Sequence, residues 1–173
     1  MKLLFQFLSK GKNLLLLFCL FLLFNFLLNS FMPKEYALDL KFAYSVEEAY
    51  GAIGHLDTDQ RQIYRFGIWV FDMPYMAVYC LLFSGILIKL WKNKKTAWLP
   101  FAILIMDLFE NLMVLRILKI FPARNEILVT LASGFTTTKW ILVGFLIFAL
   151  LSGLLFVFST RKYSGVKSAE AGI

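Results

Sequence analysis

The chain is predicted to be an all-α membrane protein, a four-transmembrane-helix bundle with a small extracytoplasmic helical segment between helices one and two. Three observations predict this. Of its 173 residues, 60% are hydrophobic and only 17% are charged, where a soluble domain carries roughly a quarter charged. The mean hydropathy is +0.73. The apolar residues do not alternate with polar ones but gather into runs about as long as a bilayer is thick.

The first span is expected at 14–31, after the basic start Lys2, Lys10 and Lys12. That opening has the layout of a signal peptide. However, about 18 apolar residues exceed a usual signal h-region, and no small-x-small site follows Asn29-Ser30-Phe31, so an uncleaved helix is expected. The segment 32–65 mixes acids with bases and is too amphipathic for a linker. Within it, Ser45-Val46-Glu47-Glu48 fits a capping box, and Gly51 and Gly54 are expected to end the helix it opens. Asp57-Thr58-Asp59-Gln60 reads as a second cap. The helix that it starts should run through Arg65 into the second span, 66–88, with Tyr64, Phe66, Trp69 and Phe71 as an interfacial aromatic belt. Pro74 should loosen that span. The third span is expected at 97–118 and the fourth at 135–158, with a tail at 159–173 and Thr136, Thr137 and Thr138 capping the start of the fourth.

The net charge of +7 sits almost entirely between the apolar runs. Topology explains that placement better than phosphate binding does, so no nucleic-acid partner is expected. Lys89, Lys92, Lys94 and Lys95 fill the second link without an acid, and Arg161, Lys162 and Lys167 oppose only Glu170 in the tail. The positive-inside rule then puts both termini and this link in the cytoplasm of a plasma (inner) membrane, with 32–65 and 119–134 facing outward. Cys19 and Cys80 fall inside apolar runs without metal-ligand spacing, and His55 is the one histidine, read as a turn residue. No metal site and no cofactor are expected.

The charges inside the spans are the informative feature. A charge in hydrocarbon costs at least about 2.5–3.5 kcal/mol by insertion scales, so it is paired, turned inward or functional. Asp107, Glu110 and Asn111 stand at i, i+3 and i+4 and share one helix face. Asp72 shares a face with Arg65, Trp69, Met76 and Tyr79. Lys139 shares one with Thr136 and Val143, and Asn25 and Asn29 form another i, i+4 pair. At about 1.5 Å per residue, Asn29 lies about 3 Å, Lys139 about 6 Å, Asp72 about 9 Å and Glu110 about 11–12 Å from the outer ends of their spans. All of these fall in the outer half. One polar pocket is therefore expected there, roofed by 32–65, in which Lys139 meets Asp72 or Glu110. Arg116, off the Asp107/Glu110 face, is expected to snorkel.

The order Glu47-Glu48-Ala49-Tyr50, Asp72-x-Pro74, Asp107-x-x-Glu110-Asn111 and Thr136-x-x-Lys139 resembles a group of small four-span bacterial membrane proteins. That resemblance covers nearly the whole chain and implies no activity. Val70-Phe71-Asp72-Met73-Pro74-Tyr75 is similar to the second span of the emopamil-binding and sigma-2 receptor superfamily. This second resemblance implies a pocket for sterols or amphipathic amines, or a sterol isomerase. The chain departs from it in offering Asn25 and Asn29 where the superfamily would place an acid in span one, and Lys139 would oppose a cationic ligand.

Together these residues point to a binding role. The pocket would hold a lipid-like or small amphipathic ligand, or dock a membrane-protein partner or a second copy of the chain, with membrane lipid around it. Asp72, Asp107, Glu110, Asn111, Lys139, Thr136, Asn25, Asn29 and Tyr79 are its candidate lining. A proton- or ion-coupled carrier, with Asp107 and Glu110 titrating against Lys139, is the alternative. A lipid-modifying enzyme using Asp72 or Glu110 as acid or base is a further one. The sequence contains no Ser/His or metal constellation to support it, so the reading leans away from an enzyme and leaves the question open. Polar glue that merely sets helix register is the remaining reading.

Overall fold

The computed structural model describes residues 6–8, 10–32 and 36–170, the side chains of 158 and 160–170 excepted. The charges read at Lys2, Lys34, Glu35, Arg161, Lys162, Lys167 and Glu170 therefore lie outside the described part. Among the described residues the chain is all helix and turn, with no strand. Its elements are α1 (Gly11–Phe31), a 3₁₀ turn (Leu38–Leu40), α2 (Val46–His55), α3 (Thr58–Gly67) and a π turn (Ile68–Asp72). They continue with α4 (Met73–Trp91), a 3₁₀ turn (Lys94–Ala97), α5 (Trp98–Ile120) and α6 (Glu126–Glu170). Three stretches are long and apolar enough to cross a membrane: Gly11–Phe31, Thr58–Trp91 and Glu126–Val157.

Both capping boxes form. The Ser45 hydroxyl accepts from the Glu48 N–H while the Glu48 carboxylate accepts from the Ser45 N–H at 2.7 Å. Asp57 and Gln60 repeat the exchange at the start of α3. Each pairing satisfies two of the donors that every helix start leaves open. Gly51 and Gly54 do not end α2, which continues to His55. What stops it is Leu56, extended and buried, followed at once by the Asp57 cap.

α3, the π turn and α4 form one continuous rod of 34 residues. The widened turn lies just ahead of Pro74, where the Met73 N–H reaches back five residues to the Ile68 carbonyl. A proline ring crowds the carbonyl four residues before it and offers no N–H, and a π turn is one way for a helix to absorb that. Pro74 therefore loosens the rod one turn upstream of itself. The expected loop at 119–134 is shorter than its sequence suggested, because α6 begins at Glu126. Asn125 opens it by accepting from the Leu128 N–H through its side-chain oxygen. Thr136, Thr137 and Thr138 consequently sit inside the helix, each hydroxyl oxygen 2.8–2.9 Å from the carbonyl oxygen four residues back.

α5 is the central helix, buried at nine positions from Pro100 to Leu118 and packed against both α4 and α6. α1 packs along α3 and α4 only through small gaps. A Cβ at Gly67 would come within 2.1 Å of the Met32 sulfur, and one at Gly85 within 2.4 Å of Leu14. Glycine lets the helices approach where any side chain would hold them apart. At the end of the bundle bearing α2, residues including Leu38, Tyr44, Tyr50, Ile53, Leu56, Tyr64, Val114, Ile117 and Val129 make a compact apolar cap.

Candidate functional site: a polar cluster beside a half-apolar cavity

The face predicted on α5 forms as expected. Asp107 and Glu110 point to α6, where Lys139 Nζ lies 3.1 Å from Asp107 Oδ1 and 2.6 Å from Glu110 Oε2. Lys139 therefore meets Glu110 and Asp107, and not Asp72. Glu110 is fully buried, and its other oxygen accepts from the Thr136 hydroxyl at 2.8 Å. Asn111, also on this face, donates to Asp72 on the α4 side at 2.6 Å. Tyr79, two turns along α4 from Asp72, donates to Asp107 Oδ2 at 2.9 Å. A single chain of contacts thus joins α4, α5 and α6. Glu110 Oε2 meets Lys139 as an ion pair and accepts no hydrogen bond from the described residues; pairing of this kind is what lets charge be tolerated inside a bundle.

Beside this cluster lies a cavity of about 440 Å³. Of the candidate residues, Asp72, Asp107, Lys139, Tyr79, Asn25 and Asn29 line it. Glu110, Asn111 and Thr136 do not. They stand behind the wall, holding Lys139 and Asp72 in place. The cavity is polar where Asn29, Asp39, Asp72 and Lys139 converge and apolar along Phe83, Ile103, Leu146 and Leu150.

Three lining residues that carry polar groups lie outside the candidate set named from the sequence. Asp39 belongs to the 3₁₀ turn, and its carbonyl accepts from the Trp140 indole N–H at 3.2 Å and from Lys139 at 3.5 Å. Its carboxylate accepts from the Tyr64 hydroxyl at 3.1 Å. Loss of water raises the Asp39 carboxyl above its ordinary value, although the nearby Lys139 ammonium pulls the other way. Trp140 is the second, and Tyr75, whose hydroxyl accepts from the Asn25 amide at 3.0 Å, is the third. Asn25, a candidate lining residue, thus also ties α1 to α4. Only a recurring polar position could have marked Asp39, and a turn has no such periodicity.

The segment 37–44 is strapped across the cavity by α6. The Ser133 hydroxyl accepts from the Tyr44 N–H at 3.0 Å, Thr137 donates to the Phe42 carbonyl at 3.1 Å, and Trp140 holds Asp39. These three side chains follow at i, i+4 and i+7 and so share one face of α6. Among the outlying residues, Arg116 is exposed on α5, Cys19 is exposed and Cys80 buried as free thiols, and His55 stacks on Tyr36. Comparison of the chain with protein-family models, with curated proteins and with solved structures gave no match.

Proposed function

We propose that this is a multi-pass membrane protein whose cavity holds an amphipathic molecule, with its polar end at Asp39, Asp72 and Lys139 and its apolar end along Phe83, Leu146 and Leu150. The observation that carries the reading is the cavity itself: about 440 Å³, within the range of small-molecule sites, mostly apolar, with a few polar groups converging at one end. In this reading α5 is the fourth crossing. Its 23 residues measure about 34 Å at 1.5 Å per residue, and its charges are turned inward and paired. Both termini and the Lys-rich link lie in the cytoplasm of a plasma membrane, and the cap faces outward, in keeping with the placement of basic residues.

Native mass spectrometry of the detergent-purified protein tests this. One amphipathic molecule per chain is expected on the wild type and should be absent from Val143→Trp, which fills the cavity, with the unfolding midpoint of the variant little changed. A wild type carrying only detergent would rule the reading out.

A second reading, a proton-coupled carrier, draws on the unbroken contacts Tyr79–Asp107–Lys139–Glu110–Thr136. It requires proton movement into proteoliposomes that Glu110→Gln abolishes, and equal fluxes for the two proteins would dismiss it.

A further inference from the structure

At the polar end of the cavity the donors of Lys139, Tyr79, Trp140 and Asn25 are engaged while several acceptors stay open; the Asn29 amide and the Tyr75 hydroxyl are the exceptions, with no acceptor among the described residues. The three N–H groups of Lys139 face Glu110, Asp107 and the Asp39 carbonyl. The Asn111 amide is directed at Asp72 Oδ2 and the Met76 sulfur. Tyr79 donates to Asp107, Trp140 to Asp39, and the Asn25 amide to the Phe21 carbonyl and Tyr75. On the acceptor side, Asp72 receives through Oδ2 alone and Asp39 through Oδ1 alone, and Asn25 Oδ1 receives no hydrogen bond from the described residues. Four carboxyl groups, those of Asp39, Asp72, Asp107 and Glu110, also surround one ammonium. Whatever completes this site has to bring both hydrogen-bond donors and positive charge.

The cavity is not sealed. Asn29 on α1, Leu40 in the 3₁₀ turn and Ile147 on α6 all line it, and all three are exposed. The opening therefore runs between α1 and α6, under the strap, along helix faces that are apolar and exposed. An occupant seated there lays the start of its hydrocarbon along Phe83, Leu146 and Leu150 and lets the remainder run out into the surrounding lipid, while its head reaches the carboxylates.

We infer that the cavity selects a bilayer lipid whose head group ends in a primary ammonium, its N–H groups directed to the free oxygens of Asp72, Asp39 and Asn25. This rests on the binding reading above and adds the identity of the head. A quaternary ammonium has the same charge and finds the faces of Tyr75 and Trp140, but it brings no donor for the three oxygens. A head group with net negative charge meets the carboxyl surplus. Hydrogen-bond donation, rather than charge alone, is therefore the discriminating property.

The test is competition. The protein is reconstituted with equal amounts of phosphatidylethanolamine, phosphatidylcholine and phosphatidylglycerol of identical acyl chains, and native mass spectrometry reads what stays bound. About a tenfold excess of ethanolamine over choline lipid is expected, the scale of one charge-assisted hydrogen bond, with the glycerol lipid retained least. Asp72→Asn and Asp39→Asn, each replacing a carboxylate by an amide of the same shape, should each bring the two zwitterionic lipids toward equal retention. Equal retention by the wild type, or an ethanolamine excess unchanged in both variants, overturns the inference while leaving lipid binding intact. If no lipid of any class stays bound, the binding reading fails as well.

Discussion

Helices α1 and α5 are nearly equal in length, 21 and 23 residues, and both are strongly apolar, yet they are held in opposite ways. α5 has nine buried residues, three of them the polar Asp107, Glu110 and Asn111. Leu17 is the one buried residue of α1, and Asn25 reaches a single neighbour. Lipid is as apolar as leucine, so apolar side chains do not drive helices together in a membrane. Close packing and polar contacts do. The helix with the polar face is therefore locked to two partners, while α1, with Asn25 alone among its described residues bonding across to another helix, forms a wall of the cavity. The cavity lies on the side of the loosely held helix.

That contrast can be broken most severely at Lys139. In Lys139→Met, Asp107 and Glu110 lose their counter-charge, and breaking a buried pair from one side costs about 3–5 kcal/mol. Thermal unfolding in detergent should show a large fall in midpoint, and an unchanged midpoint would mean the pair does not hold α5 to α6. Asn111→Leu removes the donor to Asp72 and leaves a buried acceptor unpaired, a loss of about 1–3 kcal/mol measurable in the same way. On the other helix, Asn25→Leu breaks the bond to Tyr75 and should cost only about 0.6 kcal/mol, the typical polar contact between membrane helices. If Asn25→Leu proves as damaging as Asn111→Leu, α1 is not the loosely held helix described here.

The smallest expected effects concern pH and compare two acids of the connecting segment. Hydrogen bonds from Ser45 hold the exposed Glu48 carboxyl below its ordinary value. Its contribution is present above the ordinary carboxylate range and is lost as pH falls through the lowered value. Burial raises Asp39 instead. There the folded state binds the proton more tightly, so stability falls as pH rises from the ordinary aspartate value through the raised one. Asp39→Asn should remove that fall, and Glu48→Gln the loss at acid pH. Unfolding midpoints followed across the acid range check both. A decline on rising pH that persists in Asp39→Asn would assign it to another group.

Much of this was legible in the sequence, for identifiable reasons. Long apolar runs, capping boxes and the i, i+3, i+4 spacing of Asp107, Glu110 and Asn111 are local patterns, and each marks a helix or one of its faces. The start of α6 was placed nine residues late, because Ser133, Gly134 and three threonines resemble a helix boundary. In the fold those hydroxyls bond their own helix and the strap. Asp39 was hidden for a different reason. Its role depends on Tyr64, Lys139 and Trp140, up to 101 positions away, and no local pattern in a turn reports such neighbours. For Lys139 the sequence left the partner open between Asp72 and Glu110, since spacing along a span fixes height and not the azimuth of the neighbouring helix; the structure pairs it with Glu110 and Asp107.

The strap over the cavity has a consequence for how the molecule is made. Its anchors on Ser133, Thr137 and Trp140 lie 89 to 101 residues beyond the backbone they hold, while α1, α3, α4 and α5 pack among themselves. A ribosome delivers that last helix well after the strap has emerged. The roof is thus fastened to α6 only after that helix has been made, and a chain interrupted before Ser133 keeps the strap's tie to Tyr64 but lacks all three of these anchors.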